Sequence, residues 1–444
     1  MHFTSSAIRF LCLSTVILTF NLLKSQPKLK NNQLRILITG ANIHTGKGDV
    51  LKNGAIGFKE GKINLLLSAE ELQHVKINRT EFDTIINLNG KEIYPAFIAP
   101  NSTLGLNEVD AVRATQDFAE TGIYNPHVRS IIAYNTDSKV TPTVRTNGVL
   151  YAQVTPRDGI ISGKSSVVQF DAWNWEDAAV KIDDGIHLNF PSMLQRSGWW
   201  AEPEASSTNA KYDEQINELK QFFDDASYYS KTTDHPEKNL RLDAMRCIFN
   251  GSANLYVHAD YVKDISAAIQ FLKSYNIAKI VLVGGKDSWK ITSLLKQYGI
   301  SVMLNRVHDL PNSEHDDIDL PFKLPYLLQK DSVLFCLQNQ GDMEGMNTRN
   351  LPFLAGTACA YGLTKEQAIA AISYNAAKIL GIDDKIGSLE IGKQASLIIS
   401  GGDVLDMKTS IIELAFIDGR IIDLDNHQKQ LFKKYSNKYN LNEK

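Results

Sequence analysis

The chain has 444 residues, of which 43% are hydrophobic and 22% charged, with a formal net charge of -3. These values describe an ordinary globular protein, and no clustered basic face announces nucleic acid as a partner. The length accommodates either a few average domains or one large α/β barrel with an accessory domain.

At the N-terminus Arg9 precedes an apolar run from Phe10 to Leu23, broken only by Ser14, Thr15, Thr19 and Asn21, and Lys24-Ser25-Gln26-Pro27 follows. This pattern predicts an export signal over 1–25, cut near Ser25 or Gln26, and hence a periplasmic or extracellular protein. The alternative, an uncleaved anchor, is disfavoured because a spanning helix needs ~20 apolar residues. After such a cut Cys247, Cys336 and Cys359 remain, an odd count without compact spacing, so no disulfide framework is expected.

Residues 34–90 read as short strands separated by turns. Leu34 to Thr39, Ala55 to Phe58 and Ile63 to Leu67 are apolar, and Gly46-Lys47-Gly48, Asn53-Gly54 and Gly61 punctuate them. The far end repeats this texture: Gly387 to Lys393, then Ala395 to Ile399 and Ile411 to Ile417. Neither set has enough strands to bury a face alone. We therefore expect a composite β-sandwich from 26–92 and 385–425, a barrel inserted at 93–384, and a polar tail at 426–444.

The inserted part alternates strands with helices. Asn254 to Ala259, Lys279 to Val283, Ile300 to Leu304 and Val333 to Leu337 are strand-like, while Tyr261 to Tyr275 and Asp287 to Tyr298 have helical spacing. A single helix is predicted over Thr364 to Leu380, opened by a Thr364-x-x-Gln367 capping box and closed by Gly381. Eight such units beginning near Tyr94 fit a TIM-type (β/α)8 barrel of ~250 residues, whose active site lies at the C-terminal strand ends. The first strand, YPAFIAPNSTLG over 94–105, ends at that mouth in Asn101, Ser102 and Thr103.

The run Gly362 to Gly381, GLTKEQAIAAISYNAAKILG, followed by Ile386 to Lys393, IGSLEIGK, resembles the closing segment of the amidohydrolase superfamily, particularly its imidazolonepropionase-like branch. The resemblance extends to the N-terminal strands and the strand at Tyr94. It implies a metal-dependent barrel hydrolase acting on carbon-nitrogen bonds of cyclic or linear amides. Its ligands would be a His-x-His on the first strand, histidines on the fifth and sixth, and an aspartate on the eighth, together activating a water.

Carried over residue by residue, this pattern puts Ala99 on an aspartate, Asn101 on the first histidine and Thr103 on the second. His258 matches the fifth-strand ligand. Gly284 or Gly285 stands where the sixth-strand histidine belongs, and Gln338 or Asn339 where the aspartate does. Asparagine and threonine are not ordinary zinc ligands, and the 10 histidines include no His-x-His; the nearest pair, His308 and His315, matches no metal motif. No metal is therefore expected, with zinc or iron admitted only under a different alignment.

The candidate catalytic residues are His258 and Asp342, and the candidate substrate-binding residues are Asn101, Thr103, Gln338 and Asn339. Glu344 and Arg349 lie in the loop after the eighth strand. Lys164, in Ile160 to Ser166, resembles the carbamylated lysine of binuclear relatives but lacks the strand-end context. Trp173, Trp175, Trp199, Trp200, Phe190, Tyr228 and Tyr229 either form a stacking platform or pack an insertion onto the barrel. Two functions stay open: a divergent hydrolase of carbon-nitrogen bonds, and a non-catalytic binder of a small molecule that uses the old active-site mouth. Either is compatible with self-association or with pairing to an intact related barrel.

Overall fold

The computed structural model of the protein describes residues 34–195, 198–199, 202–203, 207–232, 235–341 and 343–441. The expected export signal lies outside them. Among the described residues no helix is long and apolar enough to cross a membrane, and Cys247, Cys336 and Cys359 are free thiols.

Strands β1 (Ile36–His44), β2 (Val50–Lys59), β3 (Lys62–Leu67), β4 (Thr84–Asn87) and β5 (Glu92–Pro95) come from the N-terminal part. β18 (Leu397–Ser400), β19 (Ile412–Ile417) and β20 (Arg420–Ile421) come from the other end and join them in one eight-stranded sheet, ordered β20-β19-β18-β5-β1-β2-β3 with β4 beside β1. The seam is β5 against β18, antiparallel, with Tyr94 opposite Ile398 and Ile93 opposite Ile399. Ile36, Ile38, Phe58 and Ile93 from one end share a buried cluster with Leu397, Ile399 and Phe416 from the other. Burying each such side chain contributes roughly 1.5–3 kcal/mol, so the two ends stabilise one another across this cluster.

The second sheet also has eight strands: β6 (Phe97–Ser102), β7 (Val149–Val154), β8 (Ile161–Gln169), β9 (Ala179–Asn189), β14 (Asn254–Ala259), β15 (Ile280–Gly284), β16 (Ser301–Leu304) and β17 (Phe335–Leu337), adjacent in that order. Between β9 and β14 run two short ribbons, β10 (Leu194–Gln195) with β13 (Ser207–Thr208) and β11 (Gly198–Trp199) with β12 (Glu202–Pro203). The sheet is a nearly closed barrel. β6 and β7 pair in parallel, as do all neighbours from β9 to β17.

One strand departs from the eight expected repeats. β8 runs antiparallel to both β7 and β9. The cause is local: only residues 155–160 separate β7 from β8, and Asp158 and Gly159 turn the chain with φ of 65° and 70°. A parallel crossover needs about a dozen residues, so a hairpin is the connection this length permits.

The helix expected over 364–380 is divided into α2 (Lys365–Ala371) and α3 (Tyr374–Leu380). Its predicted Thr364–Gln367 capping box is present, and Gly381 closes it at φ 65°. The break falls at Ile372, whose carbonyl accepts the Ile98 amide at the head of β6. Residues expected as a tail instead include α4 (His427–Lys438), and α1 (Thr141–Arg145) leads into β7.

Candidate functional site at the barrel mouth

A buried polar chain threads the barrel from its interior to its mouth. Asp184 on β9 is 1% exposed and accepts three side-chain bonds: from Tyr256 at 2.5 Å, Ser165 at 2.7 Å and Gln153 at 3.0 Å. Burial raises the Asp184 carboxyl above its usual range, although these donors pull the other way. Gln153 then accepts the Asn101 amide at 3.0 Å with its own carbonyl.

Asn101 is the knot of the mouth. It sits at φ 49° where the β6–β7 register slips between Ala99 and Ser102. Strict alternation therefore fails here, and Asn101 and Thr103 do not share a face in the way two histidines of an ideal strand would. The Asn101 amide nitrogen donates to Gln338 and Gln340, both at 2.9 Å, and so ties β6 to the end of β17 across the open seam of the barrel. Its carbonyl oxygen accepts Arg157 at 2.6 Å.

Arg157, from the β7–β8 hairpin, continues the knot. A second guanidinium nitrogen bonds the Asn101 backbone carbonyl at 2.8 Å and both Glu344 oxygens at 3.0 and 3.2 Å. Glu344 also accepts the Thr103 amide at 2.8 Å. Gln338 is 0% exposed and gives its amide to Asn305 at 2.8 Å, while Asn305 donates to Asp260 at 3.2 Å. Asn339 donates to the Glu344 carbonyl.

The expected site residues thus separate. Asn101, Gln338 and Asn339 are buried and engaged with the protein itself, Thr103 lines a cleft beside Arg157, and Asp342 lies outside the described residues. Arg349 offers its carbonyl to Asn147, and Lys164 lies within antiparallel β8 rather than at a strand end. Among the described residues the rings do not assemble into a platform: Phe190 packs on Phe271, Tyr229 stacks on His235, and Trp173 and Tyr228 are exposed. Trp175 packs partly on the core, Trp200 is outside the described residues, and so is the Trp199 side chain.

His258 lines a second cleft, of about 500 Å³, with Asp260, Lys286, Asp309 and Arg306. The sequence reading missed its partner: His187 on β9 stacks on Tyr256 at 4.6 Å and brings Nδ1 to 2.9 Å from His258 Nε2. The only hint was the alternating run Gly185-Ile-His-Leu-Asn189. Burial, with Arg157 adding repulsion, pushes His258 down to about 3, and burial holds His187 well below the usual range. Both rings are therefore neutral near pH 7.

Two neutral imidazoles share one bond only if one of them donates. Were His258 the donor, His187 Nε2 would be a buried N–H, and that atom has no partner among the described residues. A buried lone pair without a partner costs less than an orphaned N–H. His187 therefore donates, and His258, which lines the cleft, carries its proton on Nδ1.

A family model described as the amidohydrolase family matches residues 182–423, more than half the chain. The chain belongs to the amidohydrolase family. An imidazolonepropionase of Shewanella oneidensis is 54% identical over 39 residues, which span 9% of this chain and 10% of that enzyme, consistent with the suspected branch. An amidohydrolase from Thermotoga maritima MSB8 superposes with a TM-score of 0.74 at 24% identity, covering 87% of this chain and 99% of its own. An adenosine deaminase from Xanthomonas campestris, solved with bound zinc, gives 0.52 at 13% identity over 90% and 97% of the two chains. At these identities the two structures establish the fold.

Which side chains of this family member would hold a metal follows from the same distances. Among the described residues no three His, Cys, Asp or Glu side chains converge. With Nδ1 protonated and Nε2 occupied by His187, His258 has no free lone pair in this arrangement.

Proposed function

We propose that this amidohydrolase is a divergent member of its family that works without a catalytic metal and uses the barrel mouth to bind a small carbonyl-bearing molecule of the cyclic or linear amide type. One observation carries the proposal: the Arg157 guanidinium lies 2.6 Å from Oδ1 of Asn101, the residue that stands, by the family resemblance, in place of the first metal-binding histidine. A fixed cation there opposes a divalent ion, and asparagine, threonine and glutamine are poor substitutes for its ligands. The residues do not fit zinc or iron.

Hydrolysis of a carbon-nitrogen bond needs an activated water, and a metal or a general base matched to neutral pH must supply it. His258, held at about 3, is too weak a base. Its Nδ1–H suits a different task, donating to a carbonyl or carboxylate oxygen. The fold, the two clefts and the polar lining support binding over turnover. The shared sheet supports a composite domain of 26–92 with 385–425 beside a barrel unit at 93–384, and the residue pattern of 1–25 supports export to the periplasm or exterior.

The test is calorimetric titration of the protein with small cyclic amides and ureas in chelator-containing buffer, with product analysis of those samples and of parallel samples supplied with zinc and no chelator. We expect saturable binding, weakened about tenfold by His258→Phe as the lost donor to a buried oxygen implies, and no product. Turnover that requires added zinc overturns the proposal.

A further inference from the structure

α4 carries an apolar stripe that none of the described residues covers. Its sequence, HQKQLFKKYSNK, has four lysines and no carboxylate, and Ser436 is its sole buried residue. Leu431, Phe432, Tyr435 and, just beyond it, Tyr439 are 37, 62, 47 and 62% exposed. Spacings of one, three and four residues put these side chains on one face. On the helical wheel Lys434 and Lys438 flank that face on one side, and Lys429 and Lys433 on the other.

The helix is nevertheless firmly placed. Asn426 caps it through the Lys429 amide at 2.9 Å, and Gln428 accepts the α1 residue Thr143 at 3.0 Å. Lys429 reaches the Leu424 carbonyl, Lys433 lies 4.0 Å from Asp425, and Lys434 and Lys438 lean over Tyr435 and Tyr439. Because α1 leads into β7, α4 sits at the N-terminal end of the barrel strands, opposite the clefts.

A second exposed ring shares that end. Trp173 follows antiparallel β8, is 77% exposed, and its carbonyl accepts Thr136 at 3.2 Å. Arg145 of α1 holds the same loop through the Phe170 carbonyl at 3.0 Å. α1 thus anchors both the amphipathic helix and the tryptophan on one face.

We propose that α4, with Trp173 beside it, docks the protein onto an anionic lipid surface. Lysines bordering an exposed Leu-Phe-Tyr stripe match the chemistry of an interfacial helix, apolar groups entering the acyl boundary and ammonium groups meeting lipid phosphates. Charge complementarity decides against a second copy of the chain, since pairing two such faces would set four lysines against four. The docked protein keeps its clefts directed away from the bilayer, open to a dissolved ligand.

The experiment is vesicle sedimentation of the full chain with phosphatidylcholine alone and with phosphatidylcholine mixed with phosphatidylglycerol. Three proteins are compared: wild type, Phe432→Glu with Tyr435→Glu, and Lys433→Glu with Lys434→Glu. All keep residues 1–33, so any pull from the N-terminal apolar run is common to them, and the substituted side chains are exposed, so folding is checked by unchanged melting. Wild type is expected to prefer the anionic vesicles, and each variant to lose that preference by about tenfold or more, as reversed charges near such a surface imply. The charge component should fade in high salt. Equal partitioning of all three proteins, or wild-type binding that ignores phosphatidylglycerol, overturns the proposal. So does a wild-type dimer in solution that the Phe432 and Tyr435 substitutions dissolve.

Discussion

Replacing Arg157 with methionine should expose how much the amide knot stabilises the barrel mouth. Arg157 donates to Asn101 Oδ1 at 2.6 Å, to its carbonyl at 2.8 Å and to Glu344 at 3.0 and 3.2 Å. The side chains of the ion pair are each 13% exposed. Breaking one partner of a buried pair costs ~3–5 kcal/mol; residual solvent and the Thr103 amide still bonded to Glu344 place this case at the low end, about 3 kcal/mol. Glu344→Gln keeps an acceptor for Thr103 and should cost about 1.5 kcal/mol, the worth of one charged bond. In the double variant neither charge is stranded, so a coupling of about 2 kcal/mol is expected. Urea unfolding followed by tryptophan fluorescence measures all three. A loss below about 0.5 kcal/mol for Arg157→Met, or strict additivity, refutes the reasoning.

The buried titrating groups have opposite pH signatures. His187 and His258 refuse protons that the unfolded chain takes up below about 6.5, so their contribution is lost as pH falls below 6.5, for His258 down to about 3, by up to about 1.4 kcal/mol per unit for each. Asp184 holds a proton that the unfolded chain releases above 3.8, so its contribution is present below 3.8 and lost as pH rises. Stability of Asp184→Asn measured from pH 4 to 7 should lack that second component, and nitrogen NMR should find His258 neutral and Nδ1-protonated throughout; a His258 midpoint near 6.5 contradicts the neutral pair. Gly185→Ala should cost about 2–3 kcal/mol by overpacking, because a Cβ there would overlap the Tyr256 ring and disturb its bond to Asp184; calorimetric melting unchanged from wild type would contradict it.

Much of the framework could be read from local patterns. Asn254–Ala259 is a strand within the bounds its apolar run suggests, and the Thr364–Gln367 box and Gly381 mark real helix ends, because strand periodicity and capping depend on neighbours in sequence. The break between α2 and α3 depends on Ile98, hundreds of positions upstream, so no local signal announces it. Antiparallel β8 was within reach, since Arg157-Asp158-Gly159 is a hairpin signal that the expectation of uniform βαβ units obscured. Asn101 lies at the end of β6, as its place in the first strand suggests, but its partners Arg157, Gln338 and Gln340 come together only through barrel closure. His187 lay in an alternating run carrying no motif, and its meaning depends on His258 standing on the next strand.

Metal content of the purified protein tests the central claim most directly. Elemental analysis of wild type, paired with melting before and after excess chelator, should find zinc and iron well below one atom per chain and an unchanged melting temperature, since only an ion bound to the folded state adds linked stability. One tightly held zinc or iron per chain, whose removal lowers the melting temperature and abolishes hydrolysis of an amide, would contradict the account.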